Sequence, residues 1–439
     1  MGLLEQVKRA GVVGAGGGGF PAHIKLAGKA DTVIANGAEC EPLLHKDAAV
    51  MEQRAADVVA GVQLVMQAVG AGDGIIGIKA KKKGAVEAIQ AACKGTPVRV
   101  RLLGDYYPAG DEYELVNALT GRLIPSQGIP LQIGIVVNNV ETLANIAAAA
   151  KGLPVIRKTI TLAGAMKNPV TLTVPLGTTF REAIEASGGL TTDDPVLCVG
   201  GLMMGLTTDN LDTPIIKTST GAVILPRSHY LIGRKLKPEA IKARIGKSAC
   251  DQCRYCTELC PRYLLGYAVE PHQVMRSLAF TATDKKYWNR MAANCCACGL
   301  CTLYACPESL FPKEACDASK AEMLSANIKW TGTARTKPHP MQDGRRVPVK
   351  MLMQKLDIMK YDAPAPWRDI AVEPRQLILP LKQAAGVPNR PLVKKGDEVR
   401  AGQQLGEVSD KDLGAIIHAP IAGTVTDVTD NLIVLTRQA

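Results

Sequence analysis

Aromatic side chains are scarce in this chain: 4 Phe, 3 Trp and 10 Tyr among 439 residues. They are too few and too scattered for the stacking surface that single-stranded nucleic acid requires, so no nucleic-acid partner is expected. Long apolar runs are also missing, and the nearest to a membrane span, residues 129–150, is interrupted by Asn138, Asn139, Glu141 and Asn145. No transmembrane segment is expected. The first ten residues carry Glu5, Lys8 and Arg9 and lack the charged-then-apolar order of a secretory leader, while Gln6 occupies the Ser/Thr position of a myristoylation signal. The expected location is the cytoplasm. What is present is ordinary globular composition, 47% apolar and 21% charged, at a length that suits roughly three to five domains. Lys and Arg number 52 against 41 Asp and Glu, a net charge of +11 that favours anionic partners. The basic runs at 79–83 and 335–350 read as solvated faces or linker.

Cysteine is the informative residue. There are 13, an odd number without a leader, and nine fall between Cys250 and Cys306, a pattern of metal usage and not of disulfides. Cys250, Cys253, Cys256 and Cys260-Pro261 follow the bacterial ferredoxin spacing; Cys295, Cys298, Cys301 and Cys306-Pro307 repeat it with one extra residue before the last Cys. In such runs three thiolates wrap one cluster and the Cys before Pro reaches the other. That rule pairs Cys250, Cys253 and Cys256 with Cys306, and Cys295, Cys298 and Cys301 with Cys260, giving two 4Fe-4S clusters. Structural zinc is the competing reading, because four thiolates also suit zinc. Cys296 adjoins a ligand and could replace Cys295, and Cys93, Cys198 and Cys316 read as core thiols.

Around this motif the texture changes several times. Residues 1–152 alternate strand patterns (31–35, 74–79, 98–103, 132–138) with helical ones (55–69, 83–93, 111–120, 140–150), which predicts an open parallel-sheet α/β domain with its ligand at the strand carboxyl ends. Residues 153–235 read as a small α+β module with four Thr- and Val-rich strands. Residues 236–330 form a Cys-rich helical domain ordered mainly by metal ligation, 331–366 a Pro-, Lys- and Arg-rich linker, and 367–439 an all-β domain punctuated by turn signals.

Gly14, Gly16, Gly17, Gly18 and Gly19, with Ala15 among them and Phe20-Pro21 behind, let backbone amides approach an anion closely, and Lys25 supplies a charge nearby. Three further segments sit where an open α/β sheet places its ligand: Asn36 to Pro42, Tyr107 to Glu112, and Asn138 to Thr142. These four segments resemble the flavin-binding loops of the NADH-oxidising subunit of respiratory complex I and, more closely, of the C subunit of Rnf-type electron-transport complexes. The domain order is similar to that of the cobalamin reductases of propanediol-utilisation microcompartments. The resemblance implies a flavin domain, a β-grasp (SLBB-like) module, a double 4Fe-4S ferredoxin-like domain and a C-terminal barrel-sandwich hybrid (hammerhead/lipoyl-like) domain. It implies that Gly14, Gly16 to Gly19 and Lys25 hold the phosphate and ribityl chain of FMN. It also implies that Asn36, Glu39 and Glu41 face the flavin ring and nicotinamide, with both Glu residues catalytic, that Tyr107, Gly110, Asp111 and Glu112 line the same pocket, and that Asn138, Asn139 and Thr142 close the phosphate end. Ala38 stands where complex I has an Asp, which alters hydrogen bonding there.

The function so implied is an NADH-dependent reductase that splits a hydride into single electrons through FMN and two 4Fe-4S clusters and reduces the cobalt of a transiently bound cobalamin. An adenosyltransferase and microcompartment shell proteins are the implied partners, and the interior of a microcompartment the implied place. No Asp-x-His-x-x-Gly corrinoid cradle is present, and none of the six His has a ligand-like setting. Two other readings stay open. One is the electron-input subunit of a membrane Rnf-type pump, although its relatives carry the hammerhead-like domain at the N-terminus. The other is a non-catalytic carrier or zinc scaffold with a prosthetic group on Lys411, in the Ser409-Asp410-Lys411 turn that resembles a lipoyl hairpin. Met203 and Met204, in a Gly-Gly-Leu-Met-Met-Gly run similar to one in the Rnf relatives, read as packing.

Overall fold

The computed structural model describes residues 2–279, 290–332 and 337–438. Its first unit is built on β1 (Thr32–Gly37), β2 (Asp73–Lys79), β3 (Val98–Leu103), the two-residue β4 (Tyr106–Tyr107) and β5 (Ile135–Asn139). Strands β3, β2, β1 and β5 lie side by side in that order, and every pair is parallel. The chain thus builds outward from β1 on one side and returns to its other side with β5. The crevice between the carboxyl ends of β1 and β5 is a topological switch point, where sheets of this kind bind ligands.

Helices α1 (Leu3–Arg9), α2 (Ala22–Leu26), α3 (Lys46–Gln53), α4 (Ala55–Val69), α5 (Lys83–Ala92), α6 (Glu112–Thr120) and α7 (Val140–Ala150) accompany the sheet. In α4 the buried residues Val58, Val59, Val62, Val65, Met66 and Val69 repeat at helical spacing, and Gly70 stops the helix with φ +75°. Gly61 lies against α7 so closely that a Cβ there would overlap the Leu143 carbonyl. The strand expected at 132–138 begins three residues later. Pro130–Ile133 forms a 3-10 turn because Pro130 sits at its first position and Gly134 closes it with φ +75°.

The second unit is a mixed sheet in the order β7, β6, β10, β8, β9, with β6 Arg157–Gly164, β7 Val170–Pro175, β8 Pro195–Val199, β9 Leu206–Thr208 and β10 Gly221–Pro226. Helix α8 (Phe180–Ala186) starts at a capping box of Thr179 and Glu182. The Cys-rich unit is short helices joined by ligand loops. The residue inserted before Cys306 is absorbed by a π-helical turn, Cys301–Ala305, which widens the helix by one residue per turn. At the C-terminus β12 (Gln376–Pro380), β17 (Leu432–Arg437), β16 (Gly423–Val428) and β14 (Glu398–Val399) form an antiparallel sheet.

The stretch read as a linker is structured where it is described. Val347–Pro348 pairs with β4 as a short strand (β11), Val349–Lys355 is helical, and Val349, Leu352, Met353, Leu356 and Ile358 are buried. Sparse apolar residues hid this, because a segment draped over other domains needs only one buried face. The C-terminal unit is not a loose appendage either. The Lys217 ammonium donates to the carbonyls of Gly11 at 2.7 Å and Ile416 at 2.6 Å, tying three units at one buried point. The Ala385 amide donates to the carbonyl of Gly19 at 2.9 Å.

Gly61→Ala is expected to lower the melting temperature. Overlap with a backbone carbonyl of a packed helix falls in the upper part of the overpacking range of about 1–3 kcal/mol. That exceeds the gain of about 1 kcal/mol in helix propensity. A thermal melt against the parent chain measures the difference.

Candidate flavin crevice and cysteine sites

The four glycine- and asparagine-bearing segments meet at the switch point. The Ala15 amide donates to the Thr142 hydroxyl at 2.9 Å, which itself donates to the Val13 carbonyl at 3.3 Å. The Asn36 amide donates to the Gly110 carbonyl at 2.9 Å. Asn139 donates to Asp47 at 2.9 Å and lies beside Gly16, where an added Cβ would come within 3.3 Å of its Nδ2. Gly17, at φ +110°, and Gly18 face open space; the amides of Gly14 and Gly19 are taken by the carbonyls of Phe20 and Gly14 at 2.9 and 3.1 Å, which leaves those of Gly16 to Gly18 free among the described residues to meet an anion. Asn138 Nδ2 is buried and has no partner among the described residues. A buried amide left unpaired costs about 1–3 kcal/mol unless a ligand satisfies it, so the donor set fits a bound flavin. Lys25 donates to the Val137 carbonyl at 2.7 Å and lies 3.8 Å from Glu112. The two edge a cleft of about 290 Å³ lined also by Phe20, Ile24 and residues 129–131 and 135–137.

Behind the glycine loop lies a buried charge cluster. Lys46 contacts Asp47 at 2.6 Å and Glu141 at 3.0 Å; Lys158 pairs with the same Glu141 and donates to the Ala15 carbonyl at 2.9 Å. Burial alone would raise the Glu141 pKa, but Lys158 and Lys46 outweigh it and hold the carboxyl at about 2. Burial pushes Lys158 down to about 8, while at Lys46 the attraction of Asp47 and Glu141 overcomes burial and the pKa rises. Two cations face two anions; Lys46, Lys158 and Glu141 also meet backbone, and Asp47 accepts from the Asn139 side chain. Glu141 stands in one of the segments quoted above and Lys46 and Asp47 follow shortly after another, yet only the folded chain brings them together and shows that Lys158, from the next module, completes the set.

Glu39 and Glu41 have different surroundings. Glu39 accepts from the Asp47 amide at 3.1 Å, and burial, then Asp47, raises its pKa. Glu41 accepts from the amides of Met203 at 3.0 Å and Met204 at 2.9 Å. A Cβ on Gly201 would overlap its carboxylate. The structure therefore engages Glu41 with the β-grasp turn and not with the crevice, a correction to the role expected for it. The Gly-Gly-Leu-Met-Met-Gly run is a socket for that carboxylate, with Met203 packed in one core with Cys298 and Leu300.

Two other crevice residues point across a domain boundary. Tyr107 is buried, and its hydroxyl donates to the Cys298 carbonyl at 2.7 Å. Asp111 caps α6, accepting from Tyr113 at 3.1 Å, and pairs with Arg262 at 2.9 Å, two residues after Cys260. Their hydroxyl and carboxylate thus serve the seam with the Cys-rich unit, another departure from the pocket-lining role expected of them.

The thiols gather in two sets. Cys250, Cys253, Cys256 and Cys306 line one space, with Cys253 exposed. The Gln252 side chain donates to Cys250 Sγ at 3.1 Å and the Leu310 amide to Cys306 Sγ at 3.3 Å. Cys301 faces Cys295 and Cys260, and the Ala297 amide donates to Cys295 Sγ at 3.3 Å. Cys296 lies beside Cys298 and Cys260, and Cys316 beside Cys295, so two further thiols crowd the inner set. Among the described residues no three of His, Cys, Asp or Glu converge as ligands of one metal ion. Two all-thiol sets with N–H donors on sulfur fit iron–sulfur clusters.

Glu141→Gln is expected to cost about 3–5 kcal/mol, because it leaves the buried Lys158 ammonium without a carboxylate while Lys46 keeps only Asp47; urea unfolding measures it. His45 accepts from Lys82 at 2.7 Å, and burial, then Lys82 and Lys81, lowers its pKa to about 3. Folding therefore keeps the ring neutral. Its effect on stability is flat above pH ~6.5 and turns unfavourable as pH falls, by up to ~1.4 kcal/mol per unit. A melting series from pH 7 to 4 should have a shallower acid limb in His45→Gln.

Comparison with known proteins follows the same division. Residues 7–148 match the Nuo51 FMN-binding domain, 159–207 the SLBB domain, 249–311 the 4Fe-4S dicluster domain and 366–439 the RnfC barrel sandwich hybrid domain. The chain is 39% identical to cobalamin reductase PduS of Citrobacter freundii, over 99% of this chain and 96% of that protein. It is 38% identical to cobalamin reductase PduS of Salmonella typhimurium over the same shares. It is 40% identical to the C subunit of the proton-translocating ferredoxin:NAD(+) oxidoreductase complex of Clostridium ljungdahlii, over 60% of this chain and 56% of that protein. With the resemblance running from end to end, the chain belongs to the cobalamin reductase PduS family, as an oxidoreductase with an FMN-binding and a 4Fe-4S dicluster domain.

Proposed function

We propose that this chain is an NADH-dependent reductase that takes a hydride as two electrons, separates them, and delivers them singly to the cobalt of cobalamin. FMN, when bound, accepts the hydride, and 4Fe-4S clusters carry one electron each. The observation that carries the reading is the continuity between the two sites: Tyr107, at the crevice, bonds Cys298, at the inner thiol set.

Gly16, Gly17 and Gly18 would offer amides to the flavin phosphate, while the Gly14 and Gly19 amides, expected to join them, instead close the turn on the carbonyls of Phe20 and Gly14; Asn138, Asn139 and Thr142 would close that end, and Asn36 and Gly110 would line the ring. Lys25 and Glu112 stand at the cleft mouth, where an anionic dinucleotide would enter. Glu39, whose carboxyl accepts from the Asp47 amide beside the crevice, would manage charge at the ring. Cys260, Cys295, Cys298 and Cys301 would hold the inner cluster and Cys250, Cys253, Cys256 and Cys306 the outer one. The exposed Cys253 makes the outer set the exit. No helix among the described residues is long and apolar enough to cross a membrane. The full-length similarity to cobalamin reductase PduS supports cobalamin as acceptor; an adenosyltransferase and shell proteins as neighbours, and a microcompartment as the place of action, are further parts of this proposal.

Anaerobically reconstituted protein should carry FMN and about eight iron atoms in two clusters, bleach with NADH, and reduce cobalamin. Colourless protein holding zinc alone would overturn the reading, and tight retention in a membrane complex would favour the Rnf-type role. Cys253→Ser should keep NADH bleaching and lose cobalamin reduction. Cys298→Ser should keep flavin bleaching while the outer cluster stays oxidised, read by low-temperature electron paramagnetic resonance.

A further inference from the structure

The segment 339–358 crosses the seam between the flavin and Cys-rich domains and engages both. The His339 amide donates to the Leu264 carbonyl at 2.7 Å, and its ring lies 5.7 Å from that of Tyr263. Two adjacent arginines then bind carboxylates from different domains. Arg345 pairs with Glu258, in the first cysteine motif. Arg346 lies 3.6 Å from Glu114 on α6, with its guanidinium 4.5 Å from the centre of the Tyr106 ring. Immediately afterwards Val347 and Pro348 pair with Tyr107 and Tyr106, and the Val349 amide donates to the Asp105 carbonyl at 3.2 Å.

The rest of the segment enters the core that holds Cys298. Val349, Leu352, Met353, Leu356 and Ile358 pack in one cluster with Cys298, Leu300, Leu303, Leu202 and Met203. The Tyr230 hydroxyl donates to the Lys355 carbonyl at 2.6 Å, fixing the far end to the β-grasp unit. Tyr107 is thus gripped along its backbone by this segment while its hydroxyl holds the Cys298 carbonyl.

We infer that residues 339–358 form a clamp that sets the separation between the flavin crevice and the inner thiol set, with Arg345 and Arg346 as its positioning residues. Neither arginine touches a crevice residue named for FMN or any thiol; each acts through Glu258 or through Glu114 and Tyr106. Electron transfer between two centres weakens exponentially with their separation, so its rate depends on how firmly that separation is held. An exposed linker would have no such effect. The inference rests on the proposed reductase reading and adds to it which residues hold the transfer distance.

The test uses full-length reconstituted protein mixed anaerobically with NADH, following flavin bleaching and cluster reduction separately. In Arg345→Ala/Arg346→Gln, bleaching and the KM for NADH should match the parent, while cluster reduction slows several-fold. Dithionite should still reduce the clusters fully. Parent-like cluster reduction with FMN and iron retained overturns the clamp. Absence of NADH bleaching in the parent chain overturns the reductase reading instead, and the clamp with it. Because Arg346→Gln leaves the buried Glu114 without its cation, Arg345→Ala alone is the deciding variant if the double variant unfolds. Its partner Glu258 keeps solvent contact, and a parent-like rate in it counts against the clamp.

Discussion

The hydrogen bond from the Tyr107 hydroxyl to the Cys298 carbonyl is the constraint on which the rest of the arrangement turns. A two-electron site and a one-electron site are useful to each other only if their separation is held, and here a side chain from one domain ends on the ligand loop of another. Residues around it reinforce the same seam. Asp111 reaches Arg262, Glu41 reaches the Met203–Met204 turn that packs on the Cys298 loop, and the 339–358 segment lies across all of them. The seam is mixed in character, with hydrogen bonds giving direction and the buried Leu300, Leu303 and Leu352 core giving adhesion.

The cost of that design is buried charge. Lys46, Asp47, Glu141 and Lys158 sit almost out of reach of water, and desolvating such groups is unfavourable unless each is paired and hydrogen bonded. Here the two cations and two anions balance, and Ala15 supplies a carbonyl to both ammonium groups. The cluster fixes the backbone beneath the glycine turn, so the turn can stay free of side chains without becoming slack. It also joins the flavin and β-grasp units, because Lys158 comes from β6.

Much of this was legible in the sequence, for identifiable reasons. Helices over 55–69 and 140–150 were readable because their buried faces repeat at 3.6 residues. The thiol sets were readable because ligand spacing is local. The crossing of Cys260 and Cys306 between sets followed from the chemistry of such motifs. What was not legible depends on contacts between distant residues. The 339–358 segment has the composition of a linker, and only its partners, Glu258 and Glu114, reveal its anchoring. Glu41 sits in the same motif as Glu39, and nothing in that motif tells that a turn 160 residues later takes its carboxylate. Lys158 is one lysine in a strand pattern until Glu141 is seen beside it.

The π-helical turn at Cys301–Ala305 bears on how such motifs diverge. In a regular α-helix each added residue swings everything after it by about 100°, which would carry the next thiol to a different side of the helix. By swelling one turn, the backbone accommodates a single-codon insertion while Cys306 still joins Cys250, Cys253 and Cys256. What the ligand set requires of this region is therefore the angular position of the sulfur, and the swollen turn meets that requirement with one more residue in the loop.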